Sequence, residues 1–200
     1  GWGIDMLATS GHKGLLGPLG TGVLYIRPGL QEEILSFRQG GTGTQSDDDR
    51  QPSTMPDKFE PGNHNVPGLV GLAAAVAHLH ERGIADVRRH AELLTSQLLD
   101  GLRNIAGVTN YGPRDATSRV GVVSLTIDGY DPQELGSTLD AAFGIQARAG
   151  FHCAPQMHAA LGTSERGGTL RLSVGLFNTE DEIAAAIAAI EAIAAAGATG

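Results

Sequence analysis

Only one cysteine occurs among the 200 residues. No disulfide can therefore close within the chain, and the composition fits a reducing compartment, expected to be the cytoplasm. Cys153 is then either a small buried hydrophobe or a reactive thiol. Basic residues are also scarce. Lys plus Arg total 14 against 22 Asp plus Glu, and a net charge of -8 argues against nucleic acid or an anionic membrane as partner. No run is long and apolar enough to be expected to cross a bilayer as a helix. Both common nucleotide signatures are missing: Lys13 is followed by Gly14, not Ser or Thr, without the G-x-x-x-x-G spacing, and no G-x-G-x-x-G opens a helix. Internal repeats and coiled-coil heptads are absent too. The first residue is Gly1, not methionine, and residues 2–6 already read as the run into a strand, so the chain is expected to begin mid-domain.

What is present centres on Thr9-Ser10-Gly11-His12-Lys13, where an apolar segment at residues 4–8, read as a strand, meets a glycine-rich loop. A lysine amine is a nucleophile only when uncharged, which burial or a neighbouring group must favour. Gly11, Gly14, Gly17, Gly20 and Gly22 permit close approach of backbone to a ligand and allow such burial. Ser10 and His12 supply hydrogen-bond donors of the kind a phosphate accepts. Lysine, donors and tight backbone together suggest pyridoxal phosphate. The alternative is a solvated surface lysine in a chance motif.

Further along, residues 22–26 predict a buried strand closed by Arg27-Pro28-Gly29, and residues 30–37 one or two helical turns. A second glycine cluster, Gly40-Gly41-Thr42-Gly43, precedes an acidic surface loop at residues 45–57. Asn65 as cap and Pro67 in the first turn start a helix expected to run to Arg82, apolar nearly all round and so read as buried between other elements. A second helix over residues 84–104 carries Val87, Ala91, Leu94, Leu98 and Leu102 on one stripe. Strands follow at 108–111, 120–127, 145–148 and 169–174, with helices from Asp131 to Gly144, over 155–161 and from the Thr179/Glu182 capping box onward. This alternation describes an α/β domain with helices on one face of a short sheet.

A second chemical centre lies in Arg148-Ala149-Gly150-Phe151-His152-Cys153-Ala154-Pro155. An adjacent histidine, a nearby arginine and the donors of a following helix would each favour a thiolate, the nucleophilic form. His152, Cys153 and His158 also fall close enough together for a zinc reading, which lacks a further ligand. Arg171 interrupts an apolar strand, where its planar fork suits a substrate carboxylate or an internal ion pair.

Taken together, Ser10-Gly11-His12-Lys13 with Gly17-Pro18, Gly40-Gly41-Thr42, Phe59-Glu60-x-Gly62, Arg148-x-Gly150-x-His152-Cys153 and Arg171-x-Ser173 before Phe177-Asn178-Thr179 resemble one family in order and spacing. It is the class V aminotransferase-fold enzymes, and among them the group II cysteine desulfurases and selenocysteine lyases. The resemblance spans nearly the whole chain. It implies a pyridoxal-phosphate-dependent transferase of fold type I, an α/β fold in which residues 1–83 are the C-terminal part of the large cofactor domain and 84–200 the small C-terminal domain. Lys13 is implied as the Schiff-base lysine, Ser10 and His12 as phosphate ligands, and Gly41 and Thr42 as reaching the partner's phosphate in a homodimer. Cys153 is implied as the sulfur acceptor, Arg171 as the carboxylate anchor and Arg148 as lining the substrate entrance. The implied substrate is cysteine or selenocysteine, with a sulfur-acceptor protein taking the persulfide, as in iron–sulfur cluster assembly. Phe151 stands where some members have a second histidine, and Asn63-His64 replaces a more usual Thr-Pro. The family's N-terminal half, with its ring-stacking residue and pyridine-pairing acid, has no counterpart, so a C-terminal fragment is expected. Such a fragment could also act only as a dimerisation module, and another class V aminotransferase or lyase would share most of these motifs.

Overall fold

A computed structural model describes residues 2–41 and 43–197. The chain divides into two compact units, Gly1–Gly83 and Ile84–Gly200, each described by itself.

In the first unit β1 (Met6–Ser10) pairs antiparallel with β2 (Gly22–Ile26), in register from Met6 opposite Ile26 to Ser10 opposite Gly22. β1 lies two residues later than the apolar pattern of 4–8 predicts, because the ladder cannot outrun the partner strand that Arg27-Pro28-Gly29 ends. α1 (Val66–Arg82) starts where Asn65 Oδ1 accepts a hydrogen bond from the Gly68 amide at 3.2 Å, and stops at Gly83, whose φ of 87° suits glycine. Two expectations fail here. β2 is exposed rather than buried, with Leu24 at 47%, and α1 buries only Gly68, Leu72 and Leu79 while Val70 remains 65% exposed. An all-round apolar helix can bury only the stripe that meets protein. The turns expected over 30–37 shrink to a 3-10 turn, Leu30–Glu32.

The second unit is a four-stranded antiparallel sheet in the order β3-β4-β6-β5, formed by β3 (Val108–Tyr111), β4 (Val122–Ile127), β5 (Arg148–Gly150) and β6 (Thr169–Ser173). β5 starts three residues later than predicted and occupies the edge. Val123, Leu125 and Ile127 of β4 and Leu170 and Leu172 of β6 alternate toward one face. On that face they pack with α2 (Ile84–Leu102), α3 (Pro132–Phe143) and α5 (Glu180–Gly197). Leu94, Leu98 and Leu102 of α2 are fully enclosed, as their spacing predicts. Asp131 caps α3 by accepting from the Gln133 amide, and Gly144 ends it in the left-handed region. At the start of α5 the Thr179 amide donates to Glu182 Oε2 at 3.0 Å and the Glu182 amide donates to Thr179 Oγ1 at 3.3 Å, a reciprocal cap. The opposite sheet face carries Ser124, Arg171 and Arg148 in one cross-strand row, set out by the register Ser124↔Arg171↔Arg148.

Candidate active site

The Lys13 turn is built by its glycines. β1 ends at Ser10, and the chain reverses through hydrogen bonds from the Gly11 amide to Thr21 O (2.8 Å), from Leu16 to Lys13 O (2.9 Å) and from Gly17 to Gly11 O (2.8 Å). A Cβ on Gly11 would lie 2.9 Å from Thr21 Cβ, and one on Gly17 would lie 2.7 Å from Leu72 Cδ1, so the turn sits directly on α1. Ser10 is half-buried, whereas His12 and Lys13 are exposed. Burial of Lys13, expected from its small neighbours, is therefore not found: the turn packs by its backbone and presents the side chain outward. Among the described residues no side-chain hydrogen bond or ion pair engages Ser10, His12 or Lys13. An amine, an imidazole and a hydroxyl left unpartnered on a rigid turn fit an aldehyde-bearing phosphate such as pyridoxal phosphate. Gly41 belongs to a different loop, closed by the Gly62 amide donating to Gly41 O at 2.8 Å; its φ of 62° and a Cβ position 2.8 Å from Gly62 Cα require glycine. Thr42 lies outside the described residues.

In the second unit the structure gathers Arg148, His152, Cys153 and Arg171. Arg171 and Arg148 are cross-strand neighbours on the polar face, and like charges so placed repel unless something neutralises them. Among the described residues no Asp or Glu pairs with either, which rejects the internal ion pair for Arg171. Its Nε is buried and has no hydrogen-bond partner. A buried guanidinium nitrogen left without a partner is costly, and a ligand carboxylate is its natural complement.

β5 leads into the turn Phe151-His152-Cys153-Ala154, closed by the Ala154 amide donating to Phe151 O at 2.8 Å. His152 (φ 52°) and Cys153 (φ 61°) both occupy the left-handed region, an uncommon pair of conformations for residues with side chains. This geometry leaves the thiol exposed at the turn's corner, so Cys153 is not the buried hydrophobe. His152 Nε2 lies 3.1 Å from Arg148 O. A carbonyl only accepts, so Nε2 carries the hydrogen and Nδ1 of the neutral ring keeps its lone pair. Burial pushes the His152 pKa down, the bond to Arg148 O opposes this, and the positive charges of Arg171 and Arg148 with neighbouring His158 add to the depression. The balance of these effects favours the neutral ring. His158 follows on α4 (Pro155–Leu161), buried, with Nδ1 2.8 Å from Thr163 Oγ1. The sequence offers it only as a metal ligand, and among the described residues no cluster of three metal-binding side chains forms. The one sequence signal of its buried hydrogen bond is a threonine five residues on.

A family model described as aminotransferase class-V matches residues 1–185. A probable cysteine desulfurase of Methanothermobacter thermautotrophicus is 36% identical over 198 residues, covering 98% of this chain and 49% of that protein. A probable cysteine desulfurase of Halobacterium salinarum is 37% identical over 189 residues, covering 94% and 44%. Among solved structures, the apo cysteine desulfurase from Thermococcus onnurineus NA1 superposes with a TM-score of 0.87 at 32% identity, over 96% of this chain and 47% of that one. The S-sulfonic acid form of an Escherichia coli cysteine desulfurase gives 0.81 at 31%, over 94% and 46%. The chain thus spans about half the length of the relatives it matches.

Proposed function

We propose, from the premise that this chain belongs to the class V aminotransferase family, that the whole protein is a pyridoxal-phosphate-dependent cysteine desulfurase. The observation that carries this reading is that an unneutralised Arg171, its Nε buried and unpartnered, lies on β6 beside the edge strand β5, which leads directly into the turn of the exposed Cys153 thiol. One anchors an amino-acid carboxylate; the other meets its sulfur.

Lys13, with Ser10 and His12 beside it, would hold the cofactor, Lys13 through Nζ and the other two through its phosphate. Pyridoxal phosphate supplies, when bound, an electron sink for the substrate's α-carbon. Lys13 Nζ takes the α-proton. Arg171 fixes the carboxylate bidentately and Arg148 lines the approach. His152 Nδ1 accepts the Cys153 proton, leaving a thiolate that attacks the substrate sulfur. A new S–S bond forms at Cys153 while the substrate's Cβ–S bond breaks, its electrons passing to Cβ; Cβ takes up a proton and the α-carbon recovers the one held at Lys13 Nζ, giving alanine. The resulting persulfide is exposed, as transfer to an acceptor requires. Within this proposal the protein is a cytoplasmic homodimer in which Gly41 and Thr42 serve the partner's phosphate. Its sulfur goes to an acceptor protein, as in iron–sulfur cluster assembly, and selenocysteine is an alternative substrate.

The whole protein given cysteine should release alanine. Lys13→Ala should abolish the cofactor's visible absorbance, and Cys153→Ser should abolish desulfuration. Persistence of the absorbance in Lys13→Ala would reject the lysine assignment. Full turnover by Cys153→Ser of an amino acid without sulfur would move the protein to another class V activity.

A further inference from the structure

The turn that carries Cys153 holds two consecutive side-chain-bearing residues in the left-handed region, and neither position is glycine. Such conformations persist only where the surroundings over-determine them. One buried side chain meets both flanking rings. The His158 ring, 4% exposed, stands edge-on to Phe151, with centroids 5.4 Å apart and planes at 87°, and tilted against His152, with centroids 5.5 Å apart. His158 is itself fixed from behind. Nδ1 is 2.8 Å from the hydroxyl of Thr163, a residue 1% exposed whose amide donates to His158 O at 2.9 Å. The chain from Thr163 then runs through Gly168, whose amide donates to Thr163 O at 3.0 Å, directly into β6 and Arg171.

We infer that His158 is a positioning residue: its ring is the platform that holds the 151–154 turn with His152 and Cys153 in the left-handed region, and Thr163 holds that platform in line with the strand of Arg171. The thiol and the guanidinium are thereby kept at a fixed offset. His158 reaches neither through chemistry of its own. The inference rests on the reading of Cys153 as sulfur acceptor only for its kinetic consequence, not for the structural claim.

Because Cys153 is the only cysteine, labelling the 200-residue chain with 13Cα-cysteine gives a single resonance whose shift reports its backbone conformation. His158→Ala should move it out of the left-handed range with circular dichroism unchanged, whereas His158→Phe, which restores a flat ring, should keep it near the wild-type position. If the alanine variant does not fold, His158→Leu fills the volume without an aromatic edge and should give the same displacement. An unmoved resonance in the alanine or leucine variant, or an equal displacement in the phenylalanine variant, overturns the inference. In the active whole protein, His158→Ala should lower kcat on the order of ten- to a hundredfold with KM for cysteine little changed, the signature of a misplaced reacting group. A displaced resonance with unchanged kcat would also overturn the positioning role. Absence of desulfurase activity in the wild type would sink the functional reading instead and leave the resonance test standing.

Discussion

At the scale of single residues, His152 has the most exposed consequence. Its pKa is depressed below 6.5, first by burial and then by Arg171, His158 and Arg148, so the folded chain takes up a proton there less readily than the unfolded chain. Its contribution to stability is therefore fully present above the ordinary histidine range and declines as pH falls through 6.5 toward the depressed value. Imidazole titration by NMR should give a His152 midpoint below the ordinary value, and Arg171→Met should raise it. A midpoint at or above the ordinary value would remove the argument for a neutral base beside Cys153. Lys13, Cys153 and Arg171 stand out as candidates in the sequence because each sits in a short string of unusual composition. His158 is not, since what distinguishes it is being buried against Phe151, His152 and Thr163, and only the folded chain brings those together.

Elements were legible to the degree that their burial is decided by their own periodicity. α2 repeats Leu94, Leu98 and Leu102 at intervals of four, and these are the residues the core encloses. Leu98→Ala should cost about 2–5 kcal/mol in unfolding free energy. Leu93→Ala, on the same helix but 48% exposed, should stay within about 0.5 kcal/mol. Denaturant titration of both variants checks the contrast, and equal losses would mean that the stripe is misassigned. The same reasoning misplaced β2 and the outer faces of α1. Apolar content records how much a segment gains by being covered; it says nothing of what covers it. β5 was displaced by three residues for a related reason: an edge strand is fixed by pairing with β6, and Ile145 through Ala147 read equally well as strand or approach.

For the whole molecule, the two units differ in how much apolar surface each encloses. The second gathers Leu98, Leu125, Leu135, Leu170 and Ile190 into one core, while the first leaves Leu24, Val70 and most of the loop of residues 45–57 in solvent. Limited proteolysis of the 200-residue chain should therefore cut first within 45–57 and leave a resistant product beginning near Gly83. Mass spectrometry of the products would identify the ends, and uniform resistance across both units would refute the ranking. One feature of the sheet reaches further. Along β4 and β6 every second side chain belongs to the core, and the residues between them, Ser124, Arg171 and Ser173, belong to the opposite face. Core packing and the make-up of the polar face are thus written in alternate letters of the same two strands. Selection can revise one set while the other is left as it stands, and a scaffold spelled in this way can change what it binds without relearning how to fold.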